Sequence, residues 1–172
     1  MHTLHLLRHA KSSWDDDQDD HRRTLDKRGR EAAALIGKTL PKVVGDLHLV
    51  LCSTALRARE TAELALRGYK PAPRILYEEG LYLATSAMLL QRLRQVDEKN
   101  ETVIVIGHNP GLHELAIALA TPGSPGFSTL ANGKFPTGVR VSFAIAGSWA
   151  EIDGTRHKLV DYVTVKSLDG KD

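Results

Sequence analysis

Thr102-Val103-Ile104-Val105-Ile106-Gly107-His108-Asn109-Pro110-Gly111 is the stretch on which the fold turns. Its first five residues are all β-branched, which restricts χ1 and suits a pleated backbone. The run is apolar on both alternating faces, so it reads as a central strand covered on each side, the signature of a parallel sheet under helices. It ends in a turn built from Gly and Pro, and helical spacing follows to Leu119. Strand, turn and helix make a βα unit, and the chain before it repeats that unit.

Working toward the amino terminus, Ala84 to Val96 reads as a helix with Leu89, Leu90 and Leu93 on one side, and Arg74 to Tyr77 as a weaker strand. Leu47 to Cys52 is another apolar strand. Ser53 or Thr54 is placed to cap a helix running through Leu66, with Gly68 just past its end. Apolar residues at helical spacing from Arg30 to Leu40 predict a helix that stops before Pro41. Thr3 to Leu7 is a buried first strand that ends at Arg8-His9 and opens into an acidic loop.

Beyond Leu119, the segment from Thr121 to Thr137 is rich in Pro, Gly and Ser. Val139 to Ile145 and Lys158 to Val165 both alternate and are expected to pair as strands at or near a sheet edge. The expected architecture is α/β, a three-layer α/β/α sandwich around a mostly parallel sheet. No repeat or linker divides the chain, so residues 1–172 are expected to form a single domain.

The chain has 172 residues, of which 42% are hydrophobic, so one sizeable core is expected. With 23 Lys and Arg against 21 Asp and Glu, the net charge of +2 is too small for a general nucleic-acid or membrane footprint. Any anion must therefore be held by a local cluster. The lone cysteine, Cys52, excludes an intramolecular disulfide or a Cys-based zinc site and suits a reducing cytoplasm; its apolar strand makes it a core residue. No basic segment precedes the short first apolar run, and no window reaches the length of a membrane span. The expected location is the cytoplasm, without nucleic-acid or membrane partners.

In a parallel sheet, ligands bind beyond the carboxyl ends of the strands. Three polar motifs follow three strands here: Arg8-His9, Ser53 with Arg57, and Gly107-His108. Parallel strands bring all three to one edge, giving an anion site with a nucleophile inside it. Guanidinium groups remain charged and offer paired planar donors, so Arg8 and Arg57 suit the oxygens of a phosphoryl group. A neutral imidazole, with an ordinary pKa of about 6.5, attacks phosphorus at neutral pH without a separate base. His9 is placed to be that nucleophile.

Leu7-Arg8-His9-Ala10-Lys11-Ser12 resembles the RHG-type signature of the histidine phosphatase superfamily, with Ala10 where Gly is commoner. Ser53-Thr54-Ala55-Leu56-Arg57-Ala58-Arg59-Glu60-Thr61 resembles its second motif, and Gly107-His108-Asn109-Pro110 its third. The short length and Arg23-Thr24-Leu25-Asp26-Lys27-Arg28-Gly29 are similar to the SixA-type phosphohistidine phosphatase branch. The resemblance implies a phosphoglycerate mutase-like fold and a covalent phosphohistidine on His9 that water then attacks. It implies that Arg8, Arg57 and His108 form the phosphate pocket, that Arg23 supports it, and that neither metal nor cofactor is required. The implied substrate is phosphohistidine in a protein, with small phosphate esters as the alternative. A mutase fits less well, because few residues are left to enclose a second anionic group. A non-catalytic phosphate-binding module would have no use for His9.

Larger members of that superfamily carry an inserted lid with a glutamate acid, and in the short interval between Arg57 and His108 the candidate acid is Glu79. The run Asp15-Asp16-Asp17-Gln18-Asp19-Asp20 lacks the glycine and closing glutamate of a calcium loop and reads as a solvated acidic loop that could lend a carboxylate as proton donor. His2, His5, His21, His48, His113 and His157 show no paired ligand spacing, so no metal site is expected.

Overall fold

The computed structural model describes residues 1–14, 18–154 and 156–170. Its centre is a six-stranded sheet formed by β1 (His2–Arg8), β2 (Leu49–Ser53), β3 (Ile75–Glu78), β4 (Thr102–Gly107), β5 (Arg140–Ile145) and β6 (Lys158–Val163). The strand order is β3-β2-β4-β1-β5-β6. The first four strands are parallel, whereas β5 runs antiparallel to β1 and β6 antiparallel to β5. The β-branched run therefore lies between β2 and β1, and the alternating pair closes one edge, as the sequence predicts.

Both faces of the sheet are covered. Leu4, Leu6, Leu49, Leu51, Val103 and Val105 pack on one side with residues of α3 (Ser86–Arg94) and α4 (Gly111–Leu119). Leu7, Val50, Cys52, Ile104 and Ile106 pack on the other with residues of α1 (Lys27–Val44) and α2 (Leu56–Ala65). Alternate residues of the same strands thus feed two cores, which is why these strands read as unbroken apolar runs. Cys52 is fully buried, and burial pushes its thiol up to about 12, in keeping with a core residue.

Register brings the strand ends to one level. Arg8 of β1 is opposite Gly107 of β4, and Cys52 of β2 is opposite Ile106 one residue below. The residues that follow each strand therefore emerge along one edge. Two glycines let the flanking segments close on it: a Cβ on Gly29 would lie 1.9 Å from the Lys11 carbonyl oxygen, and one on Gly111 2.0 Å from that of Ala84. Only hydrogen at those positions permits the approach.

Two local expectations are corrected. Helix α1 starts at Lys27, where the Asp26 carboxylate caps the Gly29 N–H at 2.7 Å, and it runs through Pro41 to Val44. Pro41 sits in the last turn, where only the bond to Gly37 is forfeited, and Gly45 with φ 74° ends the helix. Helix α2 starts with Ala55 as its cap, without a side-chain bond from Ser53 or Thr54 to its first turn. The Ser53 hydroxyl instead accepts from the Ala55 N–H at 3.2 Å and meets His108. The segment rich in Pro, Gly and Ser contains a short helix, α5 (Phe127–Ala131), and a last short helix, α6 (Val165–Leu168), follows β6. Other boundaries move by a residue or two.

Among the described residues, no helix is long and apolar enough to cross a membrane.

Candidate active site

Arg8 is the last residue of β1, and His9 is anchored just beyond it by a backbone bond from its N–H to the Gly107 carbonyl at 3.1 Å. The His9 ring is held through Nδ1, 2.7 Å from the Ala10 carbonyl oxygen. A carbonyl only accepts, so Nδ1 carries the hydrogen and Nε2 is left with its lone pair. The ring is almost fully buried. Burial, reinforced by Arg57, Arg8 and Arg23 against the opposing Ala10 bond, lowers its pKa from 6.5 to about 4. At neutral pH His9 is an uncharged imidazole with a defined tautomer.

Arg57 is the second residue of α2, only 2% exposed. Its helix is tied to the His9 loop by Thr61, whose hydroxyl donates to the Arg57 carbonyl at 2.7 Å and accepts from the Ala10 N–H at 3.0 Å. His108 follows β4, with its ring centroid 5.2 Å from that of His9. Arg57 Nη2 donates to His108 Nδ1 over 3.4 Å, which leaves Nε2 as the protonated nitrogen, donating to Ser53 Oγ at 2.8 Å. Burial and then the neighbouring His9 and Arg57 lower the His108 pKa to about 3. Arg8 is braced by Nη1 on the Phe135 carbonyl at 2.9 Å, and the same oxygen takes the Asn109 amide at 3.0 Å. The Nε atoms of Arg8 and Arg57 are buried and have no hydrogen-bond partner among the described residues.

The sequence reading thus finds Arg8, His9, Arg57 and His108 together, lining with Arg23 one cavity of about 460 Å³. A cavity of about 490 Å³ beside α2 and β3 is comparable in size but contains no histidine, so the chemistry belongs to the first. Arg23 is held by Nη1 on Ser12 Oγ at 2.9 Å and on the Ser13 carbonyl at 3.1 Å. Helices α2 and α4 both begin at this edge and direct their positive ends toward it.

Two residues were missed. Asp20, read from the sequence as part of a solvated loop, opens a 3-10 turn (Asp20–Arg22) and faces the basic cluster. Its carboxylate accepts from Arg57 Nη2 at 3.2 Å, from Arg23 Nε at 3.1 Å and from the Tyr82 hydroxyl. The Tyr82 bond first, then Arg57 and Arg23, hold its pKa down at about 2. The spacing of Asp20 and Arg23, one helical turn, was the available signal; nothing in the sequence pointed to Tyr82. Glu79 is exposed at the start of the turn Glu79–Leu81 and is not among the residues lining the cavity. Asp15 to Asp17 lie outside the described residues. Among the described residues, no group of three or more His, Cys, Asp or Glu is arranged to hold a metal ion.

Residues 4–81 match the model of the histidine phosphatase superfamily, branch 1. An uncharacterized protein of Mycobacterium tuberculosis is 36% identical over 149 residues, covering 86% of this chain and 92% of its own length. A structure described as a candidate phosphohistidine phosphatase SixA from Nakamurella multipartitia superposes with a TM-score of 0.82 at 26% identity, over 95% of each chain. This chain belongs to the histidine phosphatase superfamily. A second superfamily structure, described as a candidate SixA from Agrobacterium tumefaciens, has a TM-score of 0.78 and 26% identity, over 95% of this chain and 97% of that one. The mostly parallel sheet between two helix layers is accordingly the phosphoglycerate mutase-like fold of the SixA-type superfamily members.

Proposed function

We propose that this superfamily member is a phosphatase that works through a phosphohistidine on His9 and acts on phosphohistidine presented by another protein. The observation that carries the reading is the His9 ring: Nδ1 is committed to the Ala10 carbonyl, and Nε2 keeps a lone pair in a cavity that also holds Arg8, Arg57 and His108. Nε2 attacks phosphorus as the bond to the leaving atom breaks. Arg8 and Arg57 receive the equatorial oxygens, on which charge concentrates in the transition state, with His108 beside them on the cavity wall. Water then attacks the phosphohistidine, inorganic phosphate departs, and the His9 bond pair returns to Nε2.

The substrate class follows from proton supply. Asp20, the one carboxylate among the described residues lining the cavity, is ionised at any working pH, and Glu79 is exposed outside it. An alkoxide needs a proton to leave, whereas an imidazole protonated on its other nitrogen leaves as a neutral ring. With no ready acid among the described residues of the cavity, the site favours phosphohistidine or activated aryl phosphates over alkyl phosphates. The Arg8 and Arg57 guanidinium groups supply the positive charge for which other phosphoryl-transfer sites use magnesium, so a chelator is expected to leave the rate unchanged. A cytoplasmic location fits a chain whose one cysteine is a buried thiol.

The test is a reaction quenched without acid and analysed by mass spectrometry. Phosphate on the peptide containing His9, with no turnover in His9→Ala, supports the reading; phosphate on Ser12 or Ser53, or an active His9→Ala, overturns it.

A further inference from the structure

Leu83 stands with φ 51°, the one positive-φ residue other than glycine among the described residues. A leucine there bears steric strain that glycine would avoid, and such strain gathers at ligand clamps. The strain does not serve burial, since Leu83 is 53% exposed. Trp14 is 79% exposed. Single exposed apolar side chains need no explanation, but these two line the same cavity as His9.

Trp14 is braced rather than loose. The Arg23 guanidinium lies 4.1 Å from its ring centroid and is itself fixed by Ser12, Ser13 and Asp20. A large planar side chain held in position at the cavity of a nucleophile presents a flat apolar surface to whatever is attached to the phosphoryl group. Sugar hydroxyls laid against Trp and Leu would lose water without gaining partners. A planar ring loses little, and a protonated imidazole gains the attraction of a cation for an indole face.

We infer that Trp14 and Leu83 form an apolar rim that binds the planar ring of the leaving group and selects planar-ring phosphoryl donors over ringless ones. The inference rests on the proposed function for phosphoryl transfer in this cavity, and it extends that function to specificity.

Four substrates separate the two ideas. Free phosphohistidine and phosphoramidate share a P–N bond but differ in the ring; phenyl phosphate and methyl phosphate repeat the contrast with a P–O bond. In Trp14→Ala, kcat/KM on each ring-bearing substrate should fall about tenfold more than on its ringless counterpart, and Trp14→Phe should restore most of the difference. Leu83→Gly should shift the ratio in the same direction. Equal losses on all four substrates would mean that Trp14 acts only by bracing Arg23, and either that or no loss would overturn the rim. Calorimetric binding of phenylphosphonate against methylphosphonate reads the same ratio without turnover and overturns the rim if Trp14→Ala leaves it unchanged. The phosphohistidine reading fails separately, if the wild-type protein shows no preference for phosphoramidate over methyl phosphate.

Discussion

Asp20 grips Arg57 twice: its carboxylate takes Arg57 Nη2 at 3.2 Å and its backbone carbonyl takes Nη1 at 2.7 Å. The arginine that the second motif supplies is therefore met in the resting protein by an internal anion from a loop thirty-odd residues earlier. An incoming phosphate dianion must share Arg57 with that carboxylate or displace it.

Replacing Asp20 with Asn keeps the shape and removes the charge. Inorganic phosphate should then bind about fivefold more tightly, the order of magnitude of one partly exposed ion pair. Isothermal titration calorimetry on the wild-type and Asp20→Asn proteins measures this, and weaker phosphate binding in the variant would show that Asp20 organises Arg57 instead of competing for it.

Arg57→Ala removes a buried, preorganised donor. A loss of about 2 to 4 kcal/mol in transition-state stabilisation is expected, seen as a fall of about thirtyfold to a thousandfold in kcat/KM. Arg57→Lys should recover little, because one ammonium cannot reproduce the planar contacts to Asp20 and His108. Kinetics paired with thermal unfolding separates a catalytic loss from a folding defect.

The pH profile follows from the buried histidines. His9 attacks only when neutral, and its pKa is lowered to about 4, so the acid limb of kcat/KM should fall near pH 4 rather than near 6.5. Stability moves in a related window. His5, His9 and His108 have folded pKa values of about 3, 4 and 3, each depressed from 6.5. The unfolded chain thus binds protons below about pH 6.5 that the folded chain refuses. Their contribution is intact above that pH and is lost as pH falls toward the folded values, at about 1.4 kcal/mol per unit for each histidine. Urea unfolding between pH 7 and pH 4 checks this, and kinetics is read only where circular dichroism shows the fold intact.

Thr61→Val conserves shape and deletes the hydroxyl that joins the His9 loop to α2. The buried Ala10 N–H loses its partner at 3.0 Å, which should cost about 1 to 3 kcal/mol of stability. Because the Ala10 carbonyl holds His9, kcat should fall as well. Unchanged stability would show that water replaces the hydroxyl.

The layers of this fold were legible because each strand and helix announces itself over a few consecutive residues. Val103 to Ile106 alternate between two cores, and both cores are apolar, so the run shows its central position directly. Arg8, His9, Arg57 and His108 were legible as a set because each lies at or shortly after a strand end and a parallel sheet aligns such ends. Pro41 misled because its cost depends on which bond it removes, and in a last turn that cost is small.

What the sequence determined by itself, then, is local: the order of strands and helices, the motifs at their ends and the chemical character of those motifs. The tertiary structure alone decided which hydrogen bonds those groups make. It turned Ser53 from a presumed cap into the partner of His108, assigned the His9 hydrogen to Nδ1, and brought Asp20 and Tyr82 onto Arg57 while leaving Glu79 exposed outside the cavity. The physical reason is that a side chain's partner depends on strand register and on the paths of loops that close over long sequence separations. Periodicity carries no record of those paths.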